Sequence, residues 1–123
     1  EVTLDAARSG WQGRIICVFQ PHLYSRTIHF RERFGKAFHN ADLVVVMDIY
    51  PAREDPIPGI TGKIIVDACM AYGHRHMIYI PNRDEVVDFL LESVHPGDMV
   101  ITIGAGDVYK VGKELLERLD GRD

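Results

Sequence analysis

Three short segments of the chain gather the side chains that could do chemistry. The first, Gln20-Pro21-His22-Leu23-Tyr24-Ser25-Arg26-Thr27, places an imidazole, a phenol and a guanidinium within five residues. A guanidinium can clamp a carboxylate or phosphate with two parallel hydrogen bonds, so His22, Tyr24 and Arg26 form a candidate anion site. The competing reading is that Arg26 pairs with a nearby carboxylate and His22 is merely solvated. The second segment, Asp48 through Gly59, carries Pro51, Pro56 and Pro58 and should be stiff and extended, because proline fixes φ. Asp48, at its start, could bond a ligand or cap a turn, while Arg53-Glu54-Asp55 reads as a solvated charge cluster. The third, Gly104-Ala105-Gly106-Asp107, permits close backbone approach by a ligand at Gly104 and Ala105, or is a tight turn. It begins like a dinucleotide fingerprint, but Tyr109 stands where the third glycine belongs.

Other chemistries find little support. His29, His39, His74, His76 and His95 fall into no metal-binding spacing and read as surface or structural residues. There is no GxxxxGK[ST] loop to cradle phosphates, and Ser25 lacks the context of a nucleophile elbow. Cys17 and Cys69 each lie in an apolar run and read as small core residues; without a CxxC pair the chain fits a reducing, cytoplasmic compartment. The net charge of −4 argues against nucleic-acid binding through bulk charge. No apolar run is long enough to cross a membrane, and no basic segment leads into an apolar one as in a signal peptide.

The elements that must position these segments follow from the apolar pattern. Runs at 15–19, 43–47, 77–80 and 99–103 are nearly continuous and rich in β-branched residues, as in parallel strands covered on both faces. Between them, apolar residues recur at helical spacing: Phe30, Phe34, Ala37, Phe38 and Ala41; Ile64, Ile65, Ala68, Cys69 and Tyr72; Val86, Val87, Leu90, Leu91 and Val94; Val108, Val111, Leu115, Leu116 and Leu119. Residues 1–9 read as the tail of a further helix, and Asp107 as an N-cap. The alternation predicts one α/β domain, a Rossmann-like parallel sheet with helices on both faces and right-handed crossovers. In such a sheet ligands bind beyond the carboxyl ends of the strands, and all three segments lie there, with Pro81 through Asp84 as a fourth.

The same residues carry a family resemblance. Val18-Phe19-Gln20-Pro21-His22-Leu23-Tyr24-Ser25-Arg26-Thr27, the loop Asp48-Ile49-Tyr50-Pro51-Ala52-Arg53-Glu54 with Ile57-Pro58-Gly59, and the Gly104-Ala105-Gly106-Asp107 turn match in order and spacing the carboxy-terminal domain of the Mur ligases. The first two motifs are specific, and the resemblance covers essentially all of residues 1–123. It is nearest to the branch that adds L-alanine to UDP-N-acetylmuramate in peptidoglycan synthesis. The resemblance implies a three-domain enzyme in which ATP and magnesium, bound mainly by other domains, activate the sugar's carboxylate. The Rossmann-like domain presents the incoming amino acid. It further implies that Arg26 binds the carboxylate of L-alanine, that His22 lines the pocket, and that Ala105 lies against the methyl group, with Tyr24, Asp48 and Gly104 as further ligand-facing positions. Leu23 departs from the pattern, since many members carry arginine there.

The chain opens at Glu1 without an initiator methionine and is expected to be a piece of a longer protein, inactive alone, in which the family domain's first strand is missing. An unpaired sheet edge would then favour self-association. Two other readings stand beside this one: a ligase that attaches a whole tripeptide to the same sugar, and a non-catalytic nucleotide-binding module.

Overall fold

In the computed structural model, which describes residues 2–29, 31–51, 53–104 and 108–121, the four apolar runs pair into one parallel sheet. The elements are α1 (Val2–Gly10), β1 (Ile15–Gln20), α2 (Tyr24–His29), α3 (Arg31–Ala37), β2 (Leu43–Val46), α4 (Lys63–Ala71), β3 (Met77–Tyr79), α5 (Arg83–Ser93), β4 (Met99–Gly104) and α6 (Val108–Asp120). Strand order is β3-β2-β1-β4. Ile16 stands beside Leu43 and Val100, and Phe19 beside Val46 and Ile103.

Side chains alternate across a strand, so each strand feeds two cores. Ile15, Cys17, Phe19, Val44 and Val46 meet Leu4 of α1, Phe38, and Ile65, Val66 and Cys69 of α4 on one face. Ile16, Val18, Val45 and Met47 meet Val86, Val87 and Leu90 of α5 and Val111 and Leu115 of α6 on the other. Phe19 anchors the first core through rings at 5.3 Å from Phe34 and 5.1 Å from Phe38. Both cysteines are free and fully buried, and burial pushes each thiol up to about 12, so neither is a nucleophile at neutral pH.

The structure departs from the sequence reading in three places. Helix begins at Tyr24, so Tyr24, Ser25, Arg26 and Thr27 stand on a helical turn rather than in a loop. That turn is closed by the Leu23 carbonyl, which accepts from both the Thr27 N–H (3.1 Å) and the Thr27 hydroxyl (2.7 Å). Leu116, placed on an apolar stripe, is 64% exposed, because α6 turns Leu115 and Val111 inward and leaves Leu116 on the rim of a groove with Val94, Pro96 and Val100. Tyr72, placed on the apolar face of its helix, lies beyond α4 as an exposed C-cap. The expected N-cap at Asp107 lies outside the described residues.

The amino ends of the strands are tied by charge. Arg14 forks onto Asp98 with Nε at 3.3 Å and Nη2 at 2.7 Å, and the His95 N–H donates to the same carboxylate at 2.8 Å. The Arg14 hydrogen bond holds the Asp98 carboxyl below its ordinary range, assisted by the His95 amide and opposed by burial. The folded state therefore binds the Asp98 proton less readily than the unfolded chain. Its stabilisation is complete above the unfolded carboxylate pKa of about 4 and is lost as pH falls through the lower folded value. Asp98→Asn is expected to cost about 1.5–3 kcal/mol at pH 7, since three hydrogen bonds to a charge are weakened. It should also flatten stability against pH below about pH 4; urea titrations at pH 3 and pH 7 check both.

Candidate functional site

The strand order places a topological switch point between β1 and β4. From β1 the chain steps outward through β2 to β3, then returns through α5 to lay β4 on β1's other side. Open α/β sheets bind ligands at such a point, beyond the strands' carboxyl ends. The segment after β1 carries His22 and Arg26, and Gly104 closes β4.

At this end the β1–β2 ladder continues past both strands. The Tyr50 N–H donates to the Pro21 carbonyl (2.8 Å), and the Leu23 N–H donates to the Tyr50 carbonyl (2.9 Å). The backbones of His22 and Tyr50 bridge in parallel and their rings stack at 6.0 Å. The proline-rich segment is thus fastened to the loop that holds His22. Leu23 adopts φ 67°, the left-handed region that a residue other than glycine enters only at a cost of order 1–3 kcal/mol. This conformation lets its N–H face Tyr50 while its carbonyl closes the turn of α2.

Arg26 stands exposed on α2, and among the described residues no hydrogen bond or ion pair engages its guanidinium. The reading in which it pairs with a nearby carboxylate is therefore not the arrangement found. His22 is partly buried under Tyr50. Tyr24 is only 9% exposed and joins the core beneath α2, so at most an edge faces a ligand. Asp48 acts as a turn cap: its Oδ1 accepts from the Ile49 N–H (2.9 Å) and the Gly62 N–H (3.3 Å). It also accepts from the Tyr79 hydroxyl, whose pKa is raised by burial first and by Asp48 next. Gly104 has φ 126°, and a Cβ there would stand 2.2 Å from the Gln20 carbonyl oxygen; the glycine is required by the approach of β1. Ala105 lies outside the described residues.

Two residues at this end were not singled out by sequence. Gln20 is 9% exposed; its Nε2 donates to the Asp48 carbonyl at 3.4 Å, and its Oε1 is buried without a partner. Glu54, read as part of a solvated cluster, reaches α2 instead. Its Oε1 accepts from the Ser25 N–H (3.1 Å) and its Oε2 from the Ser25 hydroxyl. The Ser25 hydroxyl, first, and the Ser25 amide hold the Glu54 carboxyl below its ordinary range. No sequence signal joins residues 29 apart, but a helix that begins at Tyr24 with no acid in its first turn leaves amides in want of an acceptor.

His39, His74 and His76 lie away from this end. A cavity of about 670 Å³ lined by His39, His74 and His76 sits at the opposite, amino ends of β2 and β3. His74 is structural: its Nε2 meets the Ala41 carbonyl (3.0 Å) while its Nδ1 accepts from the His76 N–H (3.1 Å).

A guanidinium on α2 that is unpaired among the described residues, and a stacked imidazole, both on the segment leaving β1 at the switch point, suit a small anionic ligand. Residues 1–106 match the family model described as Mur ligase, glutamate ligase domain. The chain belongs to the Mur ligase family. It is similar to proteins named UDP-N-acetylmuramate--L-alanine ligase: 49% identical over 97% of its length to that of Pelotomaculum thermopropionicum, and 52% identical over 98% to that of Cutibacterium acnes. In each case it covers 26% of the relative, so the chain spans about a quarter of the length of the curated relatives it matches. Among solved structures, the UDP-N-acetylmuramate-alanine ligase of Thermotoga maritima superposes with a TM-score of 0.77 at 25% identity, covering 98% of this chain and 24% of that one. A Haemophilus ducreyi domain, provisionally described as from a ligase of UDP-N-acetylmuramate and L-alanyl-γ-D-glutamyl-meso-diaminopimelate, superposes at 0.67 and 21% identity, covering 96% of this chain and 79% of that one; this shows the shared fold. The sheet of this Mur ligase domain is parallel with helices on both faces, as the sequence predicts.

Proposed function

We propose that this chain is the amino-acid-presenting domain of an ATP-dependent ligase that joins L-alanine to UDP-N-acetylmuramate. The observation that supports the reading is the guanidinium of Arg26, unpaired among the described residues, on the segment that leaves β1 at the switch point of a Mur ligase domain. The relatives' shared name supplies the substrates. Arg26 takes the carboxylate of L-alanine through two parallel hydrogen bonds, which leaves the amine free to attack. His22, steadied by the Tyr50 ring, lines the same pocket, and Ala105 meets the methyl group. A small pocket is needed, because one methylene discriminates by only ~1–3 kcal/mol.

Among the described residues no three His, Cys, Asp or Glu side chains come together to hold a metal, and the sequence has no phosphate-cradling loop. On this reading ATP and magnesium are bound mainly by other parts of the enzyme, and the chain's part is to bind and orient the nucleophile. The chain alone should be inactive.

Phosphate release by the full-length protein with ATP, magnesium and UDP-N-acetylmuramate tests the reading. Release that requires L-alanine supports it. Release that requires a tripeptide moves the chain to the recycling ligases. No release with either acceptor, together with tight nucleotide binding by the chain, favours the non-catalytic module.

The partner surface of the chain alone is the free side of β4. That strand runs six residues, Met99 to Gly104, and pairs only with β1 among the described strands. Its outer N–H and C=O groups form a template for another strand. The chain is expected to self-associate, and light scattering at millimolar concentration should give a mass above 13.9 kDa. A strictly monomeric mass would refute this.

A further inference from the structure

The proline-rich segment and the turn that carries Arg26 come from different parts of the chain, yet one carboxylate joins them. Glu54 accepts from the Ser25 amide and the Ser25 hydroxyl, donors of α2's first turn. Arg26 is the next residue. The β1–β2 connections are already fastened by Tyr50 to Pro21 and Leu23, but those bonds end before the helix. Without Glu54, α2 would start from a left-handed Leu23 with its leading amides unpaired.

We propose that Glu54 is a positioning residue for amino-acid binding: by capping α2 from the neighbouring loop it fixes where the Arg26 guanidinium stands. The inference rests on Arg26 being the carboxylate ligand. Glu54 itself touches no substrate. It acts on binding geometry rather than on the chemical step, because a misplacement of about 1 Å in a positioning group can cost up to ~100-fold.

The test is a double-mutant cycle in the full-length protein, read as the separate KM values for L-alanine and ATP. Glu54→Gln keeps the side chain's length but cannot accept on both arms. It is expected to raise the KM for L-alanine about 10-fold or more, with the KM for ATP and kcat within about 3-fold. Ser25→Ala removes one of the two donors and should give a smaller rise. Glu54→Gln added to Arg26→Ala should do no further harm, since its effect passes through Arg26.

In the chain itself, the Ser25 amide proton should titrate with the Glu54 carboxylate in NMR spectra, with a midpoint below the ordinary glutamate value of about 4.3. A Ser25 amide that ignores pH between 2 and 6 on the order of the ordinary carboxylate range overturns the cap. If Arg26→Ala raises the KM for L-alanine but Glu54→Gln does not, or if the two effects add, the positioning role is wrong while the function stands. If Arg26→Ala changes nothing, or the protein has no L-alanine-dependent activity, the reading of the site fails and this inference fails with it.

Discussion

Arg26→Ala in the full-length protein is expected to raise the KM for L-alanine about 100-fold, with the KM for ATP unchanged. The size follows from the geometry of the contact. A charged hydrogen bond is worth about 1.5–3 kcal/mol, and losing a paired clamp at the upper end of that range corresponds to roughly 100-fold. On the proposed reading Arg26 meets the carboxylate in the bound state and in the transition state alike, so the loss falls on KM more than on kcat. Arg26→Lys should recover only part of it, because an ammonium is a point charge and cannot form two parallel bonds. Steady-state phosphate release against L-alanine concentration checks both variants. An unchanged KM in Arg26→Ala would remove Arg26 from the carboxylate site.

Much of the fold, and the residues of the candidate site, can be read from the sequence, and the physical reasons differ from residue to residue. The four strands could be read because strands covered on both faces must be apolar at nearly every position, as 15–19 and 43–47 are. His22 and Arg26 stood out because polar, aromatic and basic groups follow an apolar strand directly. Asp48 allowed two readings, and local sequence could not choose between them: the choice depends on the Gly62 amide and the Tyr79 hydroxyl, which arrive from elements far along the chain. Glu54 was misread for the same reason. Its neighbours Arg53 and Asp55 suggest a solvated cluster, whereas its partners lie 29 residues back. The start of α2 was placed too late because Gln20-Pro21-His22-Leu23 gives no capping residue of its own, and the cap comes from outside. Gly104 was legible as a glycine that something approaches closely. That the approaching group is the backbone of β1 follows from β4 pairing with β1, which the alternation of elements does not specify.

Gly104→Ala and Gly112→Ala are expected to move stability in opposite directions, although both add one methyl group to the last βα unit. At Gly104 the new Cβ would stand 2.2 Å from the Gln20 oxygen and 3.1 Å from Gln20 N and C. All three are backbone atoms of the ladder between β1 and β4, so relief requires the strands to part where Gln20 faces Gly104. The φ of 126° adds strain, since an alanine side chain rarely adopts it. Strain of ~1–3 kcal/mol and overpacking of similar size together give a loss of about 4 kcal/mol, a large part of a total that is commonly 5–15 kcal/mol. At Gly112, within α6, the added Cβ would meet only the Thr102 Cγ2, at an ordinary 3.7 Å. Alanine is the better helix former by ~1 kcal/mol, so Gly112→Ala should gain about 0.5–1 kcal/mol. Urea unfolding of the two variants of this chain decides the matter. If Gly104→Ala unfolds at the wild-type midpoint, the approach of β1 to β4 is looser than 2.2 Å allows, and Gly104 would be free to serve the ligand rather than the sheet. If it is destabilised while Gly112→Ala is stabilised, the glycine is fixed by the β1 backbone, and the ladder between β1 and β4 sets this end of the sheet.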